Sequence, residues 1–495
     1  MDAVFKNGTP EEVGISSEDI SALIKQLHDD GIYMHSLLII RHGKLVAEGY
    51  YAPFTRDTMH RMYSISKSFT STAIGLLCDE GKVKLSDPVH IFFPEFPAEE
   101  LHPYVREATV RNLLMMASPH DTTYSMTPGD QYFDNWVKSF FTKPPKRPAG
   151  TVFRYDTSAS YILNVIVERV TGKPYLEYLQ DKMFRKLGVT ENIWCVQAPE
   201  GYSWGGSGVI CTPLDLAKLA FVYLRGGKVN GEQLLSEEYV KEATTKQIEN
   251  NVHGFNRIFE NCGYGYQIWC VPENGFLFNG MGSQFAYAVP EKDLLIVSTA
   301  DTQGRGECGD QILSAYVNHI IRKTSDAPLP ENAAAYEALQ TELANLSLNM
   351  PKGKPHSKWE EKINNVTYVL DENSMGFKNI RLSFNGEEGV FYYENARGPK
   401  EIPFGLCKYV EGVFPETHYS GYRIGTPKGE GYKCLATGMW TDDNLFLLRV
   451  NIVDDYFGNM AISFGFRDDY VGLSAERAAE AFLEGYGGLA GGKAI

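Results

Sequence analysis

Residues Arg61–Lys82 read RMYSISKSFTSTAIGLLCDEGK. Four serines and one lysine fall between Ser64 and Ser71, and an apolar run follows them. A solvent-facing helix has no need of that pairing. Ser64-Ile65-Ser66-Lys67 is the sole S-x-x-K in the chain. On a helix, residues three apart share a face, so the Lys67 amine can reach the Ser64 hydroxyl. In the first helical turn, unpaired N–H groups and the helix dipole favour developing negative charge. Against the apolar run Lys67 would lose hydration, and its pKa would fall toward that of a useful base. On spacing alone such a motif arises by chance in most chains of this length. Its place between an exposed loop and an apolar helix is what singles it out.

Working outward, the elements on either side organise the first two thirds of the chain. ISSEDISALIKQLHDDG is a capped helix, with Ser16 or Ser17 ahead of acidic residues and Gly31 as its stop. SLLIIRHGKLVAEGYY is a hairpin turning at His42-Gly43. ASYILNVIVERVTGKP is a helix ending at Gly172, and GVICTPLDLAKLAFVYLRGG is one starting at Thr212-Pro213. Strands follow in GYGYQIWCVP, GFLFNGM, SQFAYAVP and LLIVSTA, and CGDQILSAYVNHIIRK is a closing helix. This order predicts an antiparallel sheet built from both ends of the segment, flanked by helices, with an all-helical insert between its edges: an α/β (α+β) architecture.

The Pro-rich stretch from Thr324 to Lys358 marks a boundary. The expected organisation is a hydrolase-like domain over 1–325, a linker with a short helix over 326–355, and a mostly-β domain over 356–495. Short strands around Gly, Asn and Asp turns carry the last part. The stretch SAERAAEAFLEGYG (Ser474–Gly487) reads as a capping helix. GGLAGGKA (Gly487–Ala494) mimics a phosphate loop without its Ser or Thr, and reads as a flexible tail.

Composition excludes several classes. The chain has 495 residues, 43% hydrophobic and 22% charged, and a net charge of -15. That balance argues against nucleic acid. No apolar run reaches the roughly 18 residues of a membrane span. The N-terminal residues lack a signal-peptide core, so a cytoplasmic location is expected. The eight cysteines are scattered, which predicts free thiols. The 11 histidines show no metal-ligand spacing, so neither a metal nor another cofactor is implied. His120, in ASPHDTTY, either borders the site or is a plain loop residue.

Two further segments carry candidate chemistry. Tyr155 sits in a polar turn before a helix, where a phenol can pass a proton if Lys67 lowers its pKa. Among 29 tyrosines, viewed alone, it reads first as a surface or half-buried packing residue. Gly280 and Gly282 flank Met281 at a strand end. Glycine permits close backbone approach, so the Met281 N–H can join the Ser64 N–H as an oxyanion donor. A plain hairpin turn accounts for the same residues. Tyr264, Tyr266 and Trp269 either line the site or pack the sheet.

Taken together, these residues resemble the serine β-lactamase and penicillin-binding-protein superfamily, in its class C β-lactamase, esterase and 6-aminohexanoate-dimer-hydrolase branch. The resemblance covers about residues 8–323. It rests on PEEVGISSEDI, LIIRHGKLVAEGYY, MYSISKSFTSTAIGLL, ATVRNLLMMAS, FRYDTSASYILNVIVERVTGKPY, GGSGVICTPLDLAKLAFVYL and GYGYQIW standing in the same order. It implies a β-lactamase-like fold. It also implies Ser64 as the acylated nucleophile, Lys67 as its base and Tyr155 as the Y of Y-x-N. Two departures stand out. Thr157 replaces the Asn of Y-x-N, and Phe278-Asn279-Gly280 replaces K-T-G. The expected activity is hydrolysis of a small-molecule ester or amide through a Ser64 acyl-enzyme, with Asn279, Gly280, Met281 and Thr157 around the substrate. The alternatives are a β-lactamase or D-amino-acid peptidase taking a β-lactam-like substrate, and a non-catalytic binding or sensor module of the same fold. Nothing in the sequence gives the oligomeric state.

Overall fold

The computed structural model describes residues 4–125, 129–250, 258, 261–415, 431–479 and 483–495. It divides into two compact units, 1–348 and 349–495.

The first unit begins with α1 (Ser17–Asp29). The Ser16 hydroxyl accepts from the Glu18 N–H and caps it. A hairpin follows, β1 (Met34–Arg41) and β2 (Lys44–Tyr50). Its turn residues His42 and Gly43 both take positive φ, 52° and 73°, the handedness that suits a tight two-residue hairpin. Then come α2 (Ser66–Asp79), α3 (Thr157–Thr171) and α4 (Pro213–Leu224). The strands β3 (Trp269–Val271), β4 (Gly275–Gly280), β5 (Gln284–Val289) and β6 (Leu294–Ala300) form an antiparallel meander. A helix, α5 (Glu307–Ala315), leads into a π-helical turn at Tyr316–Ile321.

The sheet order is Lys6–Asn7, β2, β1, β6, β5, β4, β3. The two ends of the segment meet where β1 pairs with β6, Ile39 opposite Ile296. Every residue of β1 and β6 is buried, so both sheet faces are covered. The insert between β2 and β3 carries α2, α3 and α4. It also holds a small sheet of His60–Arg61, Val209–Cys211 and Trp194–Cys195. Among the described residues no helix is long and apolar enough to cross a membrane. None of the eight cysteines is in a disulfide; Cys211 and Cys434 are buried, Cys78 only partly.

The expected linker contains α6 (Ala333–Ala344), capped by the Asn332 side chain. Leu339 and Leu343 of α6 are buried. A β-carbon at Gly49 of β2 would lie 2.8 Å from Leu343 and 2.6 Å from Leu346, so β2 and the α6 region are in close contact.

The second unit is a barrel. Its strands are β7 (Thr367–Leu370), β8 (Asn379–Asn385), β9 (Glu388–Asn395), β10 (Gly398–Leu406), β11 (Val410–Phe414), β12 (Tyr432–Asp442), β13 (Leu445–Val453), β14 (Phe457–Arg467), β15 (Tyr470–Ala478) and β16 (Gly488–Ala494). They run in the order β10, β9, β8, β7, β16, β15, β14, β13, β12, β11. Pairing of β10 with β12 closes the ring. Phe391, Phe404, Trp440, Phe446 and Phe464 are fully buried inside it.

Two expectations for this unit are corrected. Ser474–Ala478 is strand, not helix, and only Glu484–Tyr486 makes a helical turn; residues 480–482 lie outside the described residues. Buried Val471, Leu473 and Ala475 alternate with outward neighbours, and β15 is paired on both edges. Two ladders and a two-residue period outweigh the helix preference of Ala, Glu and Arg. The glycine-rich end is not a loose tail but strand β16, bonded to β7 and β15.

A chain ending at Leu348 should therefore fold, and one ending at Lys323 should be less stable. The shorter form loses α6 with Leu339 and Leu343, each worth about 1.5–3 kcal/mol of burial. Thermal melts of both truncations check this; equal melting midpoints would overturn it.

Candidate active site

Ser64 does not lie inside α2 but in the 3-10 turn Tyr63–Ile65 that runs directly into it. Tyr63 takes φ 47° with its side chain buried, a strained conformation that the surroundings must hold. They do so from both sides. The Met62 N–H donates to the Val209 carbonyl at 2.8 Å, and the Val209 N–H donates to the Ser66 hydroxyl at 2.9 Å. The Arg61 guanidinium stacks on the Tyr63 and Trp204 rings, 4.6 and 5.2 Å from their centroids. Its Nε donates to the Ser207 carbonyl.

Lys67, in the first turn of α2, is 1% exposed. Its Nζ lies 3.0 Å from Ser64 Oγ and 2.6 Å from the Gly206 carbonyl. It also sits 4.9 Å from the centroid of the Tyr155 ring. Tyr155, about ninety positions on in sequence, is thus brought against Ser64 and Lys67.

Tyr155 stacks on Trp269, with centroids 5.5 Å apart and planes at 18°, and meets Tyr264 edge-on. Tyr266 points elsewhere, donating to Glu242 at 2.8 Å. Burial pushes the Tyr155 phenol well above its usual range, and its hydrogen bond with Ser64 only partly offsets this. The expected lowering by Lys67 does not dominate, so the phenol is neutral. Thr157 is half-buried at the start of α3. Its methyl faces Gly206, where a β-carbon would lie 2.7 Å away.

Gly280 closes the cluster from the sheet. A β-carbon there would lie 2.3 Å from the Met62 carbonyl, so the end of β4 abuts the turn that carries Ser64. Gly282 takes φ 76°. The Gln284 amide donates to the Met281 carbonyl at 3.0 Å and to the Ala300 carbonyl at 2.7 Å, which fixes the 281 peptide. The Met281 side chain is 41% exposed and Asn279 is half-buried. Phe278 is fully buried, edge-on to Tyr223 at 5.4 Å.

Sequence reasoning missed Gly206 and Asp156. The Gly205-Gly206 pair was its signal for close backbone approach. Asp156 caps α3, accepting from the Ser158 N–H at 2.9 Å and the Ser118 hydroxyl at 2.6 Å. His120 is buried edge-on to Phe140, and its backbone N–H donates to the Ser118 hydroxyl. Burial drives the imidazole down to about 4. Among the described residues no His, Cys, Asp and Glu cluster can hold a metal.

Burial pushes the Asp156 carboxyl up to about 6, against an ordinary 3.8. Folding therefore favours its protonated form. That stabilisation is full below the ordinary value and is lost as pH rises through the folded one. Between about pH 4 and pH 7 the parent should lose about 2 kcal/mol relative to Asp156→Asn. Denaturant melts at both pH values check this; a pH-independent difference between the two proteins would refute it.

The beta-lactamase family model matches residues 20–316. The 6-aminohexanoate-dimer hydrolase of Paenarthrobacter ureafaciens is 27% identical over 281 residues, which is 53% of this chain and 71% of that protein. The serine beta-lactamase-like protein LACTB of Homo sapiens is 23% identical over 48% of this chain. This chain spans 60% of that relative's length. A penicillin-binding protein homologue of Caulobacter crescentus shares the fold, with TM-score 0.50 at 17% identity over 62% of this chain and 99% of its own. A family model spanning well over half of the chain, on a fold that gathers Ser64, Lys67 and Tyr155, shows that this protein belongs to the beta-lactamase family of serine hydrolases.

Proposed function

We propose that this protein hydrolyses a neutral ester or amide through an acyl-enzyme on Ser64. The observation that carries the reading is the 3.0 Å contact between a buried Lys67 amine and the Ser64 hydroxyl, beside the Tyr155 ring.

The steps follow from those positions. Lys67 takes the hydroxyl proton as Ser64 Oγ bonds to the substrate carbonyl carbon. The carbonyl oxygen becomes an oxyanion, which the Ser64 and Met281 N–H groups hold. The close approach of Gly280 to the Met62 carbonyl supports that pairing. As the carbonyl re-forms, the bond to the leaving group breaks, and Tyr155 supplies that group's proton. A neutral phenol suits an acid better than a phenolate would. The proton held on Lys67 then restores the phenol. A water, deprotonated by the same pair, releases the acyl group and regenerates Ser64. No step calls on a metal or another cofactor.

Substrate neutrality rests on Phe278. Kinship places a cation there to meet a substrate carboxylate, and here the position holds a buried aromatic ring. The Paenarthrobacter relative, named a 6-aminohexanoate-dimer hydrolase, supports hydrolysis as the reaction. Thr157 and Asn279 flank the cluster as substrate contacts. Eight cysteines outside any disulfide support a reducing compartment such as the cytoplasm.

Ser64→Ala should lose about 10³-fold or more of its esterase activity, as nucleophile deletions do, with an unchanged melting curve. Lys67→Arg should be nearly as inactive as Lys67→Ala, because arginine does not release its proton. Substantial turnover by either Ser64→Ala or Lys67→Arg would overturn these roles.

Loss of a charged hydrogen bond should weaken β-lactam capture by about one to two powers of ten. Steady-state kinetics should thus give nitrocefin a lower kcat/KM than the best p-nitrophenyl ester. The reverse order would show that the departure at Phe278 does not govern selection.

A further inference from the structure

Tyr264 and Trp269, which meet the Tyr155 ring edge-on and face-on, stand at the two ends of one tight turn. They oppose each other in an isolated bridge, and across the turn the Gly265 N–H donates to the Ile268 carbonyl at 2.9 Å. At its corner Gln267 takes φ 60°. Glycine or asparagine adopts that conformation more readily, so a long side chain there needs a reason.

Its contacts supply one. Gln267 is 3% exposed. Its backbone N–H donates to the Leu114 carbonyl at 2.9 Å, and its backbone carbonyl accepts from the Ser68 hydroxyl at 3.1 Å. The side-chain nitrogen donates to the Leu113 and Leu114 carbonyls, each at 2.9 Å. The side-chain oxygen accepts from the Ser160 hydroxyl at 2.5 Å. These bonds join the turn to α2, to α3 and to the short helix Val110–Leu114.

Beyond these partners lies the backbone of Tyr155. Two residues past Leu114, the Met116 carbonyl accepts from the Arg154 N–H at 2.8 Å, and the Met116 sulfur accepts from the Asp156 N–H at 3.3 Å. The residues on either side of Tyr155 are therefore hung on the segment that the Gln267 amide holds. Ser160 lies one turn into α3, whose first residue, Thr157, stands two past Tyr155. The ends of the Gln267 turn place the Tyr155 ring, and the partners of the Gln267 side chain place its main chain. The α2 side is tied differently. Ser68, next to Lys67, bonds the backbone carbonyl of Gln267, which any residue provides.

We propose that Gln267 is a positioning residue for the Tyr155 phenol, so that it governs proton delivery to the leaving group and not attack by Ser64. This rests on the reading of Tyr155 as the acid. A misplacement of about 1 Å at a reacting group costs up to about 10²-fold in rate, so the ties that hold the phenol matter. Asparagine is the substitution that isolates the role. It tolerates positive φ and keeps both backbone hydrogen bonds, but its amide is one methylene too short to span Ser160 and the two leucine carbonyls.

Steady-state kinetics of the full chain on ethyl butyrate and p-nitrophenyl butyrate tests this. Both esters form the same acyl-enzyme, and kcat/KM counts only the steps up to its formation. p-Nitrophenolate departs without a proton, whereas ethoxide needs one. Gln267→Asn should lose at least about tenfold more kcat/KM on the ethyl ester than on the p-nitrophenyl ester. Tyr155→Phe should discriminate in the same sense more strongly, and adding Gln267→Asn to it should widen the gap no further. Ser160→Ala removes one partner of the amide and leaves the turn's backbone alone; it should shift the ratio of the two esters the same way by about threefold. Equal losses on both esters in Gln267→Asn, or none, would overturn the proposal and leave Gln267 a purely structural role. An unshifted ratio in Ser160→Ala would overturn it even where Gln267→Asn did not fold. Equal losses in Tyr155→Phe would refute the acid role, and the proposal with it. Discrimination by Tyr155→Phe but not by Gln267→Asn would remove the proposal alone.

Discussion

A buried amine must be met by oxygen, and much of the first unit is arranged around that requirement at Lys67. Taking an ammonium or a polar amine out of water is unfavourable unless hydrogen bonds replace the lost hydration. Here the replacements come from separate stretches of chain. Ser64 lies one turn ahead, and Gly206 arrives from the loop before the strand Val209–Cys211. The Tyr155 ring face adds a third contact. Each partner is fixed in turn: the Ser64 turn by Val209, the Gly206 loop by Arg61, and Tyr155 by Trp269.

Clearance is the companion constraint. A β-carbon at Gly205 would strike Thr70 of α2 and Asn164 of α3 at 2.5 and 2.6 Å. The Thr70 hydroxyl instead donates to the Gly205 carbonyl at 2.9 Å, and Asn164 donates to the Ser203 carbonyl at 2.8 Å. The loop is thereby pressed between α2, which bears Lys67, and α3, whose start follows Tyr155. Gly280 performs the equivalent approach from the sheet side. Short backbone contacts, more than side-chain reach, bring the segments of the site together.

This explains what was legible beforehand. Local signals gave a hairpin at His42-Gly43, the end of α3 at Gly172 and the Ser64–Lys67 spacing, because turn chemistry and helical period act over a few residues. Tyr155 stood out through its place before a helix start. Gly206 could not be assigned a partner, since its carbonyl serves a lysine 139 positions away. Asp156 reads as an ordinary cap until burial is known. In the barrel, Ser474–Ala478 and Gly488–Ala494 carry the local chemistry of helix and tail. Their strand state comes from neighbours on both sides, which no short window of sequence contains.

The meeting of β1 with β6 also has a kinetic meaning. Ser36 and Thr299, hydrogen-bonded at 2.7 Å across this seam, are 263 positions apart. During synthesis the apolar strand Met34–Arg41 emerges early and waits for its inner partner until most of the unit has been made. Contacts of such sequence separation slow folding, and an unpaired apolar strand invites association with other chains in the interval. The seam that positions the site is thus also the step at which a nascent chain of this protein most needs a chaperone.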